Sequence, residues 1–246
     1  MARIALTLQE ENITIYCNEK NKEFEVREGK SMEFIITCSL GYLVGNINPA
    51  YLLSKKRGFD IRNEGSHNAG ASNALLLMGK KAGLITAVID IAKAYFAATF
   101  AGIMFPYYKA AKEMAAVFCI LGHIFPVAMK FKGGKGLACI AGGVLAYDVK
   151  VFAVLLVIEA AFALITDYIC VIPISAAMVI PALYIYNSGD MLAFLFMCIT
   201  AGIIIFKHLE NIRRIFQGME VRISYLWNKD GETQRIKENS EKSAKC

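Results

Sequence analysis

The sequence predicts an all-α integral membrane protein, a bundle of seven transmembrane helices with its N-terminus outside and its C-terminus in the cytoplasm. Apolar residues make up 56% of the 246 residues and the mean hydropathy is +0.44, which is above the usual level for a soluble domain. Residues 82–206 contain only 13 of the 48 Lys, Arg, Asp and Glu residues. Apolar blocks separated by short charged stretches are typical of a polytopic membrane protein, and this distribution excludes a nucleic-acid binder despite the net charge of +6.

Residues 1–31 form a polar N-terminal extension. Ile4, Leu6 and Leu8 alternate with polar residues, and this period of two predicts short strands, such as a β-hairpin. A basic start followed by an apolar stretch is missing, so the extension is not predicted to be a signal peptide. Met32 stands directly before the first apolar block, and a product that begins there is the alternative; mass spectrometry of the native N-terminus distinguishes the two.

Seven apolar blocks follow the extension. Helices are predicted because a lipid-exposed backbone must satisfy its own hydrogen bonds. Several blocks are shorter than the roughly 20 residues that cross a bilayer, and the fourth is short enough to be partly re-entrant. The predicted spans are residues 32–54, 82–105, 113–129, 136–147, 149–166, 169–186 and 190–206. The predicted domains are the extension 1–31, a membrane domain 32–220 and a basic cytoplasmic tail 221–246.

The orientation follows from the basic residues in the loops. One side of the predicted bundle carries 18 Lys and Arg residues, in loops 55–81 and 130–135 and in the tail 207–246, and the other side carries eight. Cytoplasmic loops are enriched in these residues, so the richer side is predicted to be cytoplasmic. Three polar segments also lie on that side, which predicts one site at the cytoplasmic membrane surface: GFDIRNEGSHNAGASN (58–73), KFKGGKG (130–136) and KHLENIRRIFQGME (207–220).

The segment KFKGGKG has the features of an anion site. Gly133, Gly134 and Gly136 permit tight turns that expose successive N–H groups, and the helix predicted to follow adds its positive end. Lys135 supplies a point charge and Lys132 adds attraction, so the segment is suited to phosphate. The alternative is a basic loop that contacts anionic lipid headgroups.

The other two segments supply hydrogen-bonding side chains. Ser66, Asn68 and Asn73 can bind phosphate oxygens or a polyol, and the alternative is a turn followed by a helix N-cap. His208 and Asn211 are three residues apart, which puts them on one face of a helix.

Charged residues inside the predicted spans need partners. Asp90 and Lys93 are three residues apart and are predicted to form a pair, whereas Glu159 is expected to contact a polar group on another helix. His123 is predicted to be a structural hydrogen-bonding residue. The same charges also fit a small membrane transporter. The sequence has no His-x4-Asp, HExxH or CxxC motif, and we predict neither a metal nor an organic cofactor.

The segments GSHNAGASN, GHIFPVAMKFKGGKG and HLENIRRIFQGME resemble the three signature segments of the bacterial acyl-phosphate-dependent glycerol-3-phosphate acyltransferases of the PlsY type. The resemblance runs from about Gly41 to Glu220, in the same order and spacing. It implies a seven-helix enzyme of the cell inner (plasma) membrane with its active site facing the cytoplasm. Such an enzyme transfers a fatty acyl group from acyl phosphate to the 1-hydroxyl of glycerol-3-phosphate and makes lysophosphatidic acid for phospholipid synthesis. The implied partners are these two substrates and membrane lipid, without nucleic acid and with no indicated oligomeric state.

The residue pattern and the resemblance together predict the site residues. Either His208 or a phosphate oxygen of the substrate can serve as the base. The predicted catalytic residues are Lys135, His208 and Asn211, and the predicted substrate-binding residues are Ser66, Asn68, Asn73, Arg62, Lys132, Gly133, Gly134 and Gly136.

Five positions depart from the family pattern. Asn46 stands where the family has Ser in the first span, and Pro173 stands where a small polar residue is usual. His67 stands where the family usually has Gly, Leu76 stands where it has a phosphate-binding Arg, and Cys170 stands where it has Ser. A charge-assisted hydrogen bond contributes about 1.5–3 kcal/mol, so the loss of the Arg predicts substrate binding that is roughly 10- to 100-fold weaker. The sequence therefore predicts a divergent member with weak activity or a different acceptor, and a non-catalytic lipid-binding paralogue is the alternative.

Overall fold

The computed structural model describes residues 31–188 and 190–243, and all regular secondary structure in these ranges is helical. The β-hairpin predicted for the N-terminal extension lies outside the described residues. Three short 3-10 turns, Ile61–Asn63, Val127–Met129 and Ile223–Leu226, separate some of the helices. The helices are α1 (31–45), α2 (Pro49–Lys56), α3 (Ala71–Met78), α4 (Lys80–Met104), α5 (Ala111–Ile124), α6 (Leu137–Tyr147), α7 (Val149–Thr166), α8 (Val171–Ser188), α9 (Met191–Phe216) and α10 (Lys229–Ser243).

Four helical stretches in the described residues are long and apolar enough to cross a bilayer: α4, Ala111–Met129, α7 and α9. Helices α6 and α8 are apolar but shorter. The all-helical membrane class is therefore confirmed, whereas the count of seven spans and the domain boundaries stay predictions. Helix α9 continues ten residues past the predicted end of the seventh span, so the third polar segment extends the same helix.

The predicted single span over residues 32–54 is wrong, because α1 and α2 are separate helices. Pro49 lacks a backbone N–H and disfavours helical geometry at Asn48, which has extended backbone angles. The Asn48 side chain caps α2 by accepting a hydrogen bond of 2.8 Å from the Tyr51 amide. On the other side of the break, Asn46 Nδ2 donates to the Tyr42 carbonyl at 2.6 Å.

Helix α1 packs closely against α5 through glycine. A Cβ atom at Gly41 would collide with the Ala115 carbonyl, and one at Gly45 would collide with the Cys119 carbonyl. The two glycines are one turn apart and so are the two carbonyls, which brings the helix backbones into direct contact along this line. Small residues of this kind are how helices associate in a membrane, where lipid is as apolar as the side chains.

The side chain of Lys93 holds α1, α4 and α5 together. Its ammonium donates to the Ile47 carbonyl at 2.6 Å and to the Gly45 carbonyl at 3.2 Å, two acceptors that the break after α1 leaves without helical partners. It lies 2.7 Å from Asp90 Oδ1 and 3.0 Å from His123 Nδ1. All three ionisable side chains are buried. The break in the first span and the charges in the second are thus parts of one arrangement.

The predictions for the charged residues inside the spans are confirmed. Asp90 pairs with Lys93, and His123 is a hydrogen-bonding member of the same cluster. Glu159 on α7 accepts a hydrogen bond of 2.6 Å from Ser175 Oγ on α8, which is the predicted polar contact between helices. Since these charges have structural partners, they do not themselves call for a transport function.

We expect Lys93→Met to lower the free energy of unfolding by about 3–5 kcal/mol, because it leaves the buried Asp90 carboxylate and two backbone carbonyls without their cation. Unfolding in detergent, followed by circular dichroism, measures the change. Lys109→Met is the matched control, because Lys109 is an exposed lysine between α4 and α5. Equal stability of the two variants would contradict the structural role of Lys93.

Candidate functional site

A chamber of about 640 Å³ lies between the polar segment before α3, the beginning of α6, the end of α9 and the residues that follow α9. The structure brings together residues from all three polar segments that the sequence singled out. The predicted site residues that line the chamber are Ser66, Asn68, Lys135, Gly136, His208 and Asn211.

A chain of polar contacts fixes the cationic wall of the chamber. Lys135 Nζ donates a hydrogen bond to Asn211 Oδ1, and Asn211 Nδ2 donates to Glu220 Oε1 at 2.6 Å. Glu220 also accepts from Arg214 Nε at 2.7 Å, and Arg214 pairs with Glu210 at 2.9 Å. Asn211 is buried, and its amide holds a cation on one side and a carboxylate on the other. The ammonium of Lys135 is thereby aimed with defined geometry.

Burial lowers the pKa of Lys135 below its usual value, and the nearby guanidinium of Arg214 lowers it further. An ammonium has three donor hydrogens, and the bond to Asn211 uses one of them. A lysine so desolvated gains more from a bound anion than an exposed one does, because the anion restores the charge stabilisation that water would have supplied.

The orientation of His208 leaves one ring nitrogen suited to act as an acceptor. Nδ1 lies 2.8 Å from the Ile204 carbonyl, which can only accept, so Nδ1 carries the hydrogen. In the neutral ring, Nε2 then has a lone pair. The side chain is buried and lines the chamber, and it lies one turn before Asn211 on α9. The contact with Ile204 therefore holds the neutral ring in one tautomer.

The glycines before α6 differ in role from the prediction. The Gly133 amide donates to the Ile124 carbonyl at 3.1 Å and the Gly134 amide donates to the His123 carbonyl at 3.0 Å, so neither is free for phosphate. A Cβ atom at either glycine would collide with His123, so close packing against His123 requires glycine at both positions. Gly136 has a φ of +92° and begins α6, whose first-turn N–H groups have no helical partners and carry the positive end of the helix.

Asn73 is fully buried and does not line the chamber. Its Nδ2 donates to the carbonyls of Ile61 and Glu64, both at 3.0 Å, and its Oδ1 accepts from the Ser66 amide at 3.0 Å. These bonds shape the polar segment that carries Ser66. Asn73, predicted to bind substrate, therefore lies outside the chamber and holds the backbone of the segment that lines it.

Arg62 also has a structural role. It pairs with Asp60 at 2.7 Å and donates to the Met129 carbonyl at 2.6 Å, which joins the first polar segment to the second. The hydrogen bonds from Arg62 hold the pKa of Asp60 well below its usual range. The side chain of Lys132 is exposed, and neither Arg62 nor Lys132 is among the residues that line the chamber.

Several lining residues were not predicted to belong to the site. Arg222 and Tyr225 follow residue 220, where the last polar segment ends, and no motif includes them, so their presence could not be inferred from spacing. Cys170 also lines the chamber, and burial raises the pKa of its thiol to about 12, which leaves it protonated at neutral pH. Cys170 is therefore poorly suited to be a nucleophile.

Asp90, His123 and Cys139 each offer one potential metal-ligand atom, and these atoms lie within 4.8 Å of one another. The ammonium of Lys93 is within 3.0 Å of both the carboxylate and the imidazole. The cluster thus already contains a cation at the position from which a metal would bind both groups.

The family model described as glycerol-3-phosphate acyltransferase matches residues 35–218. Glycerol-3-phosphate acyltransferase 1 of Oceanobacillus iheyensis is 32% identical over 208 residues, which cover 80% of this chain and 99% of that protein. Glycerol-3-phosphate acyltransferase 2 of Bacillus cereus is 37% identical over 191 residues, covering 76% and 93% of the two chains.

The fold is similar to crystal structures of PlsY (YgiH), an integral membrane glycerol 3-phosphate acyltransferase. The glycerol 3-phosphate form aligns with a TM-score of 0.71 and 28% identity, and the lysophosphatidic acid form aligns with a TM-score of 0.67. Both alignments cover 78% of this chain and 96% of the other.

Two asparagines of the first polar segment make a matched pair of variants. We expect Asn73→Ala to lower the free energy of unfolding by about 1–3 kcal/mol, because it removes three hydrogen bonds and leaves buried backbone groups unsatisfied. Asn68→Ala should change stability by less than about 0.5 kcal/mol, because Asn68 lines the chamber and is only partly buried. Chemical unfolding in detergent compares them, and a larger loss for Asn68→Ala would contradict these roles.

Proposed function

This chain belongs to the glycerol-3-phosphate acyltransferase family, and we propose that it transfers a fatty acyl group from acyl phosphate to the 1-hydroxyl of glycerol-3-phosphate. The product is lysophosphatidic acid, an early intermediate of phospholipid synthesis. The observation that supports this most is the convergence of Lys135, His208 and Asn211 with Ser66 and Asn68 on one chamber. The relatives named above and the ligands named for the PlsY structures agree with this assignment.

The reaction needs orientation and charge neutralisation more than a strong nucleophile, because phosphate is already a good leaving group. The 1-hydroxyl oxygen attacks the carbonyl carbon of the acyl phosphate, the bond from that carbon to the phosphate oxygen breaks, and inorganic phosphate leaves. Lys135 and the positive end of α6 bind phosphate oxygens in the chamber. The protonated thiol of Cys170 favours direct transfer over an acyl-enzyme.

His208 is the base that the geometry supports best. Its Nδ1 hydrogen is held by the Ile204 carbonyl, so Nε2 can accept the proton that leaves the attacking hydroxyl. Asn211 aims the Lys135 ammonium, and Ser66 and Asn68 add polar contacts opposite them. Asn73 and Arg62 have an indirect role, because their hydrogen bonds hold the segment that carries Ser66.

An apolar cavity beside the chamber can take the first carbons of the acyl chain. This cavity of about 90 Å³ lies between helices α5 to α9, lined among others by Ile140, Ala176 and Ile204. Ile204 is one turn before His208 on α9, so the two cavities adjoin along that helix. An acyl chain in this apolar cavity would direct its activated end toward the polar chamber.

The topology that fits this function has seven membrane segments formed by α1 and α4–α9, with the N-terminus outside. The surplus of Lys and Arg, 18 against eight, supports a cytoplasmic location for the three polar segments and for the chamber. The soluble acceptor would then enter from the cytoplasm, and the membrane would be the cell inner membrane.

Lys135→Ala should abolish the formation of lysophosphatidic acid from palmitoyl phosphate and glycerol-3-phosphate, because the chamber loses its aimed phosphate-binding cation. Purified protein and thin-layer chromatography of the product provide the measurement. Lys56→Ala is the control, because Lys56 is an exposed lysine on α2 away from the chamber lining. Near-normal turnover in Lys135→Ala would disprove the site assignment.

Binding of glycerol-3-phosphate should weaken as the pH rises, and at a lower pH than an ordinary lysine with a pKa of about 10.4 would require. The reason is that the pKa of Lys135 is lowered, so its charge is lost earlier on the alkaline side. In Lys135→Arg the charge persists, and the loss of binding should move to higher pH. Calorimetric titrations between about pH 7 and 10 compare the two proteins, and the same alkaline decline in both would exclude Lys135 as its source.

A further inference from the structure

The chain continues past the family match, which ends at residue 218, and the continuation closes the chamber. We call residues 219–243 the C-terminal segment. Nine of the residues that line the chamber belong to it: Met219, Glu220, Val221, Arg222, Ile223, Tyr225, Leu226, Ile236 and Ser240. One wall of the chamber is therefore built from sequence that the family match does not include.

The loop between α7 and α8 fixes the middle of the C-terminal segment. The carboxylate of Asp167 accepts two hydrogen bonds from Ser224, from its amide at 3.0 Å and from its hydroxyl at 2.9 Å. The Asp167 carbonyl accepts a third from the Ile223 amide at 2.9 Å. These three bonds fix the two residues that directly follow Arg222.

Further contacts hold the C-terminal segment in place. Lys80, the first residue of α4, donates to the Leu226 carbonyl at 3.1 Å. Arg235 on α10 donates to the carbonyls of Glu220, at 2.8 Å, and Gly218. Asn239 donates to the same Gly218 carbonyl at 2.9 Å. The segment is thus a fixed wall of the chamber.

The lining of the chamber includes three cations, Lys135, Arg214 and Arg222, which differ in how they are paired. Arg214 is held between two carboxylates at 2.7 and 2.9 Å. Within the described residues, the carboxylate that pairs with Arg222 is that of Glu232, at 4.0 Å. The guanidinium also interacts with the Tyr168 side chain, whose ring centre lies 5.9 Å away, and with the charge of Asp167. Its side chain is 40% exposed, so the guanidinium can turn toward an anion in the chamber without breaking a close ion pair.

Leu76 lines the same chamber, at the position where the family resemblance leads one to expect an arginine. Lys80 follows it by four residues and anchors Leu226, so the C-terminal segment passes close to the end of α3. We propose that Arg222 binds a phosphate group of a substrate and supplies from the C-terminal segment the charge that Leu76 lacks. This inference rests on the proposed function for the identity of the phosphate compound, although phosphate binding itself can be measured without turnover.

The test is equilibrium binding of glycerol-3-phosphate to the purified full-length protein in detergent. Arg222→Gln should weaken binding about 10- to 100-fold, the range expected when a charge-assisted contact to phosphate is lost. Arg222→Lys should lose less, because it keeps the charge without the bidentate geometry. Lys229→Gln is the matched control, an exposed cation of the same segment outside the chamber lining, and it should bind like the unmodified protein.

A second measurement gives the KM for palmitoyl phosphate, so that the two phosphate compounds are distinguished. A change confined to palmitoyl phosphate would assign Arg222 to the acyl donor, and a change confined to glycerol-3-phosphate would assign it to the acceptor. Unaltered values for both compounds in Arg222→Gln would overturn the proposal. Equal unfolding temperatures of Arg222→Gln and Lys229→Gln show that the fold is kept. If the temperatures differ, binding by Arg222→Lys is compared: weakened binding in a stable Arg222→Lys variant supports the proposal, and unaltered binding contradicts it.

The relation to Leu76 is tested by rescue. Leu76→Arg introduced into Arg222→Gln should bind glycerol-3-phosphate at least about tenfold more tightly than Arg222→Gln alone. Equal binding by the two variants would overturn the idea that one charge replaces the other. The proposed function is judged separately, by whether the unmodified protein makes lysophosphatidic acid. An inactive protein that nevertheless loses phosphate binding on Arg222→Gln would refute the function and support this inference.

Discussion

The structure depends on the need to satisfy backbone carbonyls that a broken helix leaves inside a membrane protein. Lys93 meets that need at the end of α1, and Asp90 and His123 balance its charge. The backbone of His123 in turn accepts the Gly134 amide, which places Lys135 one residue later. A sequence of contacts therefore runs from the helix break to Lys135, and we expect a change at Lys93 to alter the chamber.

The sequence predicted the main residues that line the chamber, but not how the other predicted side chains are oriented. Lys135, His208 and Asn211 were found because charge, helical spacing and glycine content leave local signals, and the pairing of Asp90 with Lys93 follows from the cost of lone charges in lipid. Asn73 shows the limit of such reasoning, since a buried amide that shapes a loop and an amide that binds substrate have the same donors and acceptor. Only the fold tells which way the side chain faces.

Two predictions were wrong for a physical reason: the single first span and the free amides of Gly133 and Gly134. Across residues 32–54 the apolar content outweighs the Asn-Ile-Asn-Pro signal at 46–49, although proline after asparagine is a recognised helix-breaking pattern. The amides of Gly133 and Gly134 donate hydrogen bonds to carbonyls nine and eleven residues earlier, a pairing that composition cannot predict. The part of the wall beyond residue 220 has no motif, so its contribution became visible only through its contacts with Asp167 and Lys80.

The shortness of α6 has a consequence for the surrounding lipid. Its 11 residues rise about 16 Å, roughly half of the ~30 Å hydrocarbon layer, and it runs between Lys135 and Asp148. If α6 is a membrane segment, this hydrophobic mismatch requires either a locally thinner bilayer or a polar helix end below the headgroups. Leu137 and Ala141 of α6 line the polar chamber and Ile140 and Gly143 line the apolar cavity, so the two cavities lie along overlapping parts of this short helix. A water-soluble acceptor and an acyl chain still dissolved in lipid can then meet without either leaving its own solvent.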